Sequence, residues 1–155
     1  MRIMPNLFLL PFALAACATL TAAVIDFNTL PGNNGDPFTN YSENGFTVSA
    51  TSGPWSVAKF FGNPIPDVFC FRCSPGILEV TGGQFSFESV DFGNPNTPPF
   101  SYTITGYLSG SQVLLQSGIN PAAPNTFATI VSSETSQLLD RLDISIDTAS
   151  SDGNV

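Results

Sequence analysis

The chain has 155 residues, of which 43% are hydrophobic and only 10% charged, so it is long and apolar enough for one domain with a buried core. Four Lys and Arg stand against twelve Asp and Glu, a formal net charge of −8, which excludes the clustered positive charge that a nucleic-acid partner requires. Because the chain has no histidine, Ser-His-Asp catalysis, Cys-His catalysis and histidine metal sites are excluded as well.

The N-terminus predicts an export signal. Arg2 precedes an apolar run at residues 7–16, which is too short to span a bilayer and is followed by small residues. We therefore expect residues 1–23 to be a signal peptide and residues 24–155 to form a secreted, extracellular β-sandwich domain. No transmembrane helix is expected.

Two kinds of processing are open for this signal. Small residues favour ordinary cleavage after Ala18 or Ala23. The alternative is a lipoprotein anchored through Cys17, because residues 14–17 (Leu-Ala-Ala-Cys) resemble a bacterial lipobox. Ordinary secretion is favoured, since a lipidated Cys17 would leave a very short tether before the first strand.

Short strands with alternating apolar and polar residues are predicted along the first half of the domain, and loops rich in Pro, Gly and Asn separate them. The Gly82-Gly83 pair is expected to turn the chain after the last of these strands. The strands are expected at residues 24–27, at 45–50, around Trp55 and Val57, and at 77–81.

The central stretch has the most regular alternation. Residues 84–92 predict one strand with a β-bulge between Phe87 and Val90, where the alternation slips by one residue. Ser109-Gly110 predicts the turn of a hairpin. Further strands are expected at 127–131 and 142–146. One shared core is expected to bury Phe85, Phe87, Val90, Phe92, Ile104 and Leu142.

Many short strands and no helical period predict an all-β fold, a two-sheet antiparallel sandwich. The chain from residue 24 also resembles the jelly-roll, galactose-binding-like domains of secreted bacterial proteins of the PEP-CTERM sorting type and of similar fungal proteins. The stretches that carry the resemblance are residues 25–27, 41–46, 62–64, 85–92, 105–110 and 142–143.

The resemblance implies a jelly roll and two further features. Related jelly rolls often hold a structural calcium ion beside the first and last strands, which makes Asp26 the candidate ligand because calcium prefers carboxylate oxygens. They also continue with one more strand, so the chain is expected either to be truncated after Val155 or to lack that strand. The sorting tail of Pro-Glu-Pro and apolar residues has no counterpart in this sequence.

Cys70 and Cys73 form the sole CxxC pattern. In an oxidising compartment they are expected to form a disulfide with each other. A redox site would need the pattern at the start of a helix, and a zinc site would need more ligands than this chain offers.

Aromatic side chains in or beside loops suggest how such a sandwich could hold a sugar, because a ring face stacks on Trp, Tyr or Phe. Trp55, Tyr41 and Phe61 are the candidates, although burial of Trp55 in the core is the favoured alternative for that residue. The resemblance, the acidic polar surface and the absence of a catalytic constellation together predict a protein without enzymatic activity that binds carbohydrate or an extracellular polymer. The alternative is a structural or interaction protein of the cell envelope or matrix with no small ligand, and the oligomeric state is left open.

Overall fold

The computed structural model describes residues 23–62, 65–94 and 99–148, and the backbone of 152–154. Residues 1–22 of the signal peptide predicted at residues 1–23 lie outside this part. Within it no helix is present that has the length and apolar character needed to cross a membrane. The described residues form eleven strands: β1 Asn40–Glu43, β2 Phe46–Ser52, β3 Trp55–Ala58, β4 Asp67–Phe71, β5 Gly76–Ser86, β6 Ser89–Asn94, β7 Ser101–Leu108, β8 Ser111–Ile119, β9 Thr126–Val131, β10 Leu138–Asp147 and β11 Asp152–Asn154.

The strands form two antiparallel sheets. One has six strands in the order β1-β2-β5-β10-β7-β8, and the other has five in the order β3-β4-β11-β6-β9. From β4 onward the chain passes repeatedly from one sheet to the other, so that neighbours in each sheet are mostly distant in sequence. This is the jelly-roll sandwich that the sequence predicts.

Alternating residues of both sheets point into the space between them. In β10, Leu142, Ile144 and Ile146 are buried while the residues between them face outward, as the two-residue period of a strand requires. The predicted core is confirmed: four of its six members are buried, and Phe85 and Val90 are partly buried and pack against it.

Two hairpins turn through residues with positive φ. The predicted turn between β7 and β8 is confirmed, with Ser109 at φ 51° and Gly110 at φ 78°. Asn44 and Gly45 repeat this geometry between β1 and β2, with φ of 51° and 85°. Asn-Gly is the strongest short hairpin signal, so this turn and β1 were both readable from the sequence.

The strand predicted at residues 24–27 is absent. These residues are instead attached by side-chain hydrogen bonds: the Glu43 carboxylate oxygen Oε2 accepts the backbone N–H of Asp26 at 2.9 Å and of Phe27 at 3.2 Å. Phe27 also has φ 58°, which an extended strand does not allow. The prediction of a strand here is therefore wrong.

Gly82-Gly83 do not turn the chain, because β5 runs through both glycines. At Gly82 an added Cβ would come within 2.8 Å of the Phe46 ring, so the absent side chain makes room for that ring. The ladder between β5 and β10 is irregular here, since Leu139 pairs with Phe85 but Arg141 pairs with Thr81. The bulge therefore lies earlier than predicted.

The strand predicted at 84–92 is two strands in different sheets. β5 ends at Ser86 and β6 begins at Ser89. The slip in alternation between Phe87 and Val90 marks the crossing between sheets, and Phe87 is buried there with 7% exposure. A change of sheet and a bulge leave the same trace in the alternation pattern.

The disulfide between Cys70 and Cys73 is present, but Cys70 lies in a strand, β4, that the sequence does not predict. Both cysteines are buried at 0% and 1% exposure. Thr148, just beyond β10, fixes the backbone of Cys73 by two hydrogen bonds. Its hydroxyl accepts the Cys73 N–H at 2.8 Å, and its own N–H donates to the Cys73 carbonyl at 2.6 Å.

Candidate functional site

Two of the three aromatic residues predicted to bind a ligand lie in the core. Trp55 is 2% exposed, and its indole N–H donates to the Ser52 carbonyl at 2.9 Å. Tyr41 is 7% exposed, its ring lies 5.3 Å from that of Phe27, and its hydroxyl bonds Thr29. Both rings are covered, so the described structure gives neither of them a surface on which a sugar could stack. Burial of Trp55 is the alternative that the sequence favours.

Phe61 lies at the surface, half-buried, in the connection between β3 and β4. Its ring stacks on that of Phe127 in β9, with centroids 4.8 Å apart and planes 23° apart. Both rings lie over Gly93 of β6, where an added Cβ would come within 2.8 Å of Phe61 and 2.7 Å of Phe127. Glycine at this position therefore makes the stacked pair possible. Phe60 beside it is 83% exposed, so its side chain does not belong to an inward strand face.

A polar pair lies next to the two rings. Asp91 and Thr129 face each other across β6 and β9, and the Thr129 hydroxyl donates to the Asp91 carboxylate at 2.6 Å. Gly93 and Phe127 are the facing pair two positions along the same ladder. Because residues two apart share a face of the sheet, the carboxylate lies about 7 Å along the strand from the rings. We call Phe61, Phe127, Asp91 and Thr129 the aromatic platform.

The platform is on the outer face of the five-stranded sheet. Phe92, between Asp91 and Gly93, points into the core at 0% exposure and packs on Phe100 with ring centroids 5.7 Å apart. Its neighbours along β6 must therefore point outward. The platform combines ring faces with an acceptor and a hydroxyl group, a set that can bind a molecule having both apolar faces and hydroxyl donors.

A groove of about 660 Å³ borders the platform. Its floor consists of apolar residues on the inner side of the six-stranded sheet, including Leu78, Val80 and Leu142. Asp91 and Phe127 belong to its rim. The ionisable side chains among its lining residues are all acidic: Asp26, Asp67, Glu88 and Asp91.

Asp26, the predicted calcium ligand, is surrounded by hydrogen-bond donors. Its carboxylate accepts the backbone N–H of Asn28 at 3.0 Å and the side-chain amide of the same residue. Among the described residues no group of three or more His, Cys, Asp or Glu side chains is placed to hold a metal ion. Calcium also accepts backbone carbonyl oxygens, which that grouping of side chains does not include. Calcium binding stays a prediction.

Two carboxylates face each other elsewhere, on the outer side of the six-stranded sheet. Asp143 pairs with Glu79 across β10 and β5, and the Arg141 Nε lies 3.3 Å from Asp143 and 3.8 Å from Glu79. Burial raises the pKa of Asp143, which the positive charge of Arg141 partly offsets. None of the three lines the groove, so this cluster is an ion-pair network of the sheet surface.

The fold and the platform define the class: an antiparallel jelly-roll β-sandwich with an aromatic and acidic outer surface. No family model and no curated protein matches the chain. Among solved structures, it is similar to the family 32 CBM (carbohydrate-binding module) from C. perfringens NanJ in complex with galactose. The identity is 18%, the TM-score is 0.46, and the match covers 76% of this chain and 97% of that chain. A likeness of this degree carries neither ligand nor site residues over to this chain.

The sequence predicts one member of the platform, Phe61. Phe127, Asp91 and Thr129 are missed because strand alternation alone explains them, as residues facing away from Phe92 and Ile130. Their meeting depends on the pairing of β6 with β9, two strands more than 30 residues apart, which no local pattern specifies. One signal was available: Gly93 lies within β6, and a glycine inside a strand often marks a place where another group approaches closely.

Proposed function

We propose that this protein is a secreted, non-catalytic β-sandwich that binds carbohydrate or another extracellular polymer at the aromatic platform. The observation that carries the proposal is the Phe61–Phe127 stack over Gly93, two positions from the hydrogen-bonded Asp91–Thr129 pair. Partial exposure of a stacked ring pair on a sheet surface is unfavourable in water unless a ligand covers the rings.

The chemistry of the platform suits a sugar ring. A pyranose has C–H faces that pack on an aromatic ring, and hydroxyl groups that donate to a carboxylate. Asp91 is already oriented by Thr129 at 2.6 Å, so little side-chain freedom is lost on binding. Cleavage of a sugar polymer ordinarily needs two carboxyl groups that flank the bond, and the four residues of the platform include one, which is why we propose binding without turnover.

Secretion is supported by two features. The apolar run at residues 7–16 has the length of a signal sequence, and the Cys70–Cys73 disulfide is typical of an oxidising compartment. An extracellular polymer is the kind of ligand that a secreted binding domain meets.

The test is affinity electrophoresis of the protein through gels that contain single polysaccharides of different backbone sugars, followed by titration of any polysaccharide that retards it. Phe61→Ala should weaken binding about fivefold or more, because aromatic contacts of this kind contribute about 1 kcal/mol. Phe71→Ala is the matched control, since Phe71 is also a Phe of the five-stranded sheet region with 49% exposure but does not belong to the platform.

Equal losses for both variants would contradict the platform as the site. No retardation by any polysaccharide, with the protein folded, would remove carbohydrate binding and leave the structural or interaction protein as the function.

A further inference from the structure

Each sheet of the sandwich has an edge strand at either end, and the four edges differ in how they are covered. Residues 34–38 run beside β3, where the Phe38 N–H donates to the Trp55 carbonyl at 2.9 Å. The side-chain amide of Gln116 donates to the Val131 carbonyl of β9 at 3.0 Å. The edge strand β1 comprises four residues. The longest edge strand is β8.

The free side of β8 combines backbone groups with apolar side chains. The strand has nine residues, and in the part of the chain that the structure describes no strand pairs with it on the side away from β7. Leu114 is buried, so Leu115 and Ile119 point to the outer face of the sheet, with 60% and 68% exposure. An edge of this length with exposed apolar residues is a template for pairing with another strand.

The distribution of charge indicates which partner fits this edge. No Asp, Glu, Lys or Arg occurs between Asp91 and Glu134, although the whole chain has a net charge of −8. Natural edge strands usually carry charged residues or proline, which oppose the addition of a strand, and β8 has neither. Two copies of so acidic a chain repel each other least where no carboxylate lies between them. A basic partner, by contrast, would find no opposite charge on β8.

We propose that β8 is the interface between two copies of this chain, which pair antiparallel about a two-fold axis and join their six-stranded sheets edge to edge. A two-fold interface brings the same surface of both copies together, so the uncharged edge meets itself. With the axis at Ser117, Leu115 of each copy lies beside Ile119 of the other, and both apolar side chains are covered. An axis at Leu115 would instead place Ile119 beside Ser111.

A cysteine scan along β8 tests the register. In the proposed dimer residue 117 lies beside residue 117 of the other copy, close enough for a disulfide. Ser117→Cys should therefore form a cross-linked dimer under mild oxidation, seen on a non-reducing gel. Ser111→Cys is the matched control, because it changes an exposed Ser of the same strand. Its two copies would lie about 40 Å apart, at about 3.3 Å per residue, and should not cross-link.

Sedimentation velocity of the secreted protein over a range of concentrations tests the dimer itself. The unsubstituted protein should show a concentration-dependent dimer. Leu115→Glu should weaken self-association at least tenfold, because it removes the apolar contact with Ile119 and adds a negative charge to each side of the interface. Leu138→Glu makes the same change at an exposed Leu of β10 in the same sheet, and should leave the dimer unchanged. Phe61→Ala should also leave it unchanged, which separates this interface from the polymer-binding proposal.

Four results would overturn the proposal. They are a protein that sediments as a monomer at every concentration, and equal cross-linking of the Ser117→Cys and Ser111→Cys variants. The third is a dimer that Leu115→Glu leaves intact, since the copies would then meet through another surface. The fourth is a dimer in which Ser117→Cys does not cross-link, since the strands would then not pair about this residue. Because the cross-linking needs no change at Leu115, it tests the interface even if Leu115→Glu fails to fold.

Discussion

Arg141 lies at the centre of a compact set of contacts on the outer face of the six-stranded sheet. Its guanidinium carbon is 3.8 Å from the centroid of the Tyr107 ring, a cation–π contact with the residue that faces it in β7. Its Nε forms an ion pair with Asp143 at 3.3 Å but no hydrogen bond. The Arg side chain thus contacts the ring and both carboxylates, and its charge offsets the desolvation of the partly buried Asp143 carboxyl group only in part.

The consequence can be measured as a pH dependence of stability. Burial raises the pKa of Asp143 above its ordinary value of 3.8, so the folded protein keeps this proton at pH values where the unfolded chain has lost it. The contribution of Asp143 to the free energy of unfolding must therefore fall as pH rises from 3.8 through the raised pKa, and it is constant above that pKa. In Asp143→Asn this decline should be missing.

Urea unfolding of both proteins, at a series of pH values on either side of 3.8, checks this expectation. The Asn variant should gain stability relative to the original protein as pH rises through that window. A stability difference that stays constant over the whole series, or that changes in the opposite direction, would contradict the burial of this carboxyl group.

Single residues show why the site was harder to predict than the fold. Trp55 and Phe61 carry equally aromatic side chains near loops, and nothing local separates them. Their burial is decided by position: Trp55, in the edge strand β3, points its side chain into the core, while Phe61 follows the end of β3 and lies over the outside of β6. Exposure is a property of tertiary packing, which the sequence pattern does not specify.

At the scale of elements, the sequence predicts strands well where alternation and turn residues agree. β10 and the β7–β8 hairpin are examples, with Ser109-Gly110 as the turn. It fails where glycine has another role. Gly82 accommodates the Phe46 ring within a strand, although the Gly82-Gly83 pair is also a typical turn. β4 is missed because it lies between proline-containing segments and ends near Cys70, the first cysteine of a CxxC pattern that suggests a loop.

Gly76 is a second glycine whose missing side chain leaves room for a neighbouring group, here the disulfide. An added Cβ at Gly76 would lie 2.7 Å from the Cys70 sulfur and 2.9 Å from the Cys73 Cβ, whereas nothing lies within 4 Å at Gly83 of the same strand. Gly76→Ala should therefore destabilise the protein by about 1 to 3 kcal/mol, the usual cost of overpacking. Gly83→Ala should change stability by no more than about 0.5 kcal/mol.

Denaturant melts of the two variants, with the disulfide intact, provide the measurement. Repeating them on the reduced proteins adds a control, because the sulfur atoms separate when the bond is cut and the penalty at Gly76 should shrink. If both alanine variants lost the same stability, close packing of Gly76 on the disulfide would be refuted.

For the molecule as a whole, the all-β sandwich was predictable because composition, alternation and the absence of helical period agree. The pairing of strands was not, since β5, β10 and β7 are neighbours in space but are separated in sequence by strands of the other sheet. The position of β11 between β4 and β6 depends on that pairing as well, and residues 152–154 are too few to show the alternation that predicts a strand.

The last prediction concerns the whole chain and its export. Ordinary signal cleavage after Ala18 or Ala23 removes Cys17, and oxidation closes the Cys70–Cys73 bond that the structure contains. The secreted protein should then accept no alkyl group before reduction, and after reduction and unfolding it should be alkylated at Cys70 and Cys73 alone.

Intact-mass analysis of the secreted protein decides between the kinds of processing. A measured mass equal to that of a chain whose first residue is Thr19 or Val24 supports ordinary cleavage. A chain that begins at Cys17 and carries the added mass of a lipid would show the anchored form instead. Alkylation of a cysteine before reduction would mean either that Cys17 is retained or that the disulfide is open. Peptide mapping separates these two cases, because it shows which cysteine carries the alkyl group. Both Cys70 and Cys73 are buried, at 0% and 1% exposure, so a closed bond should be protected from reductant until the sandwich unfolds.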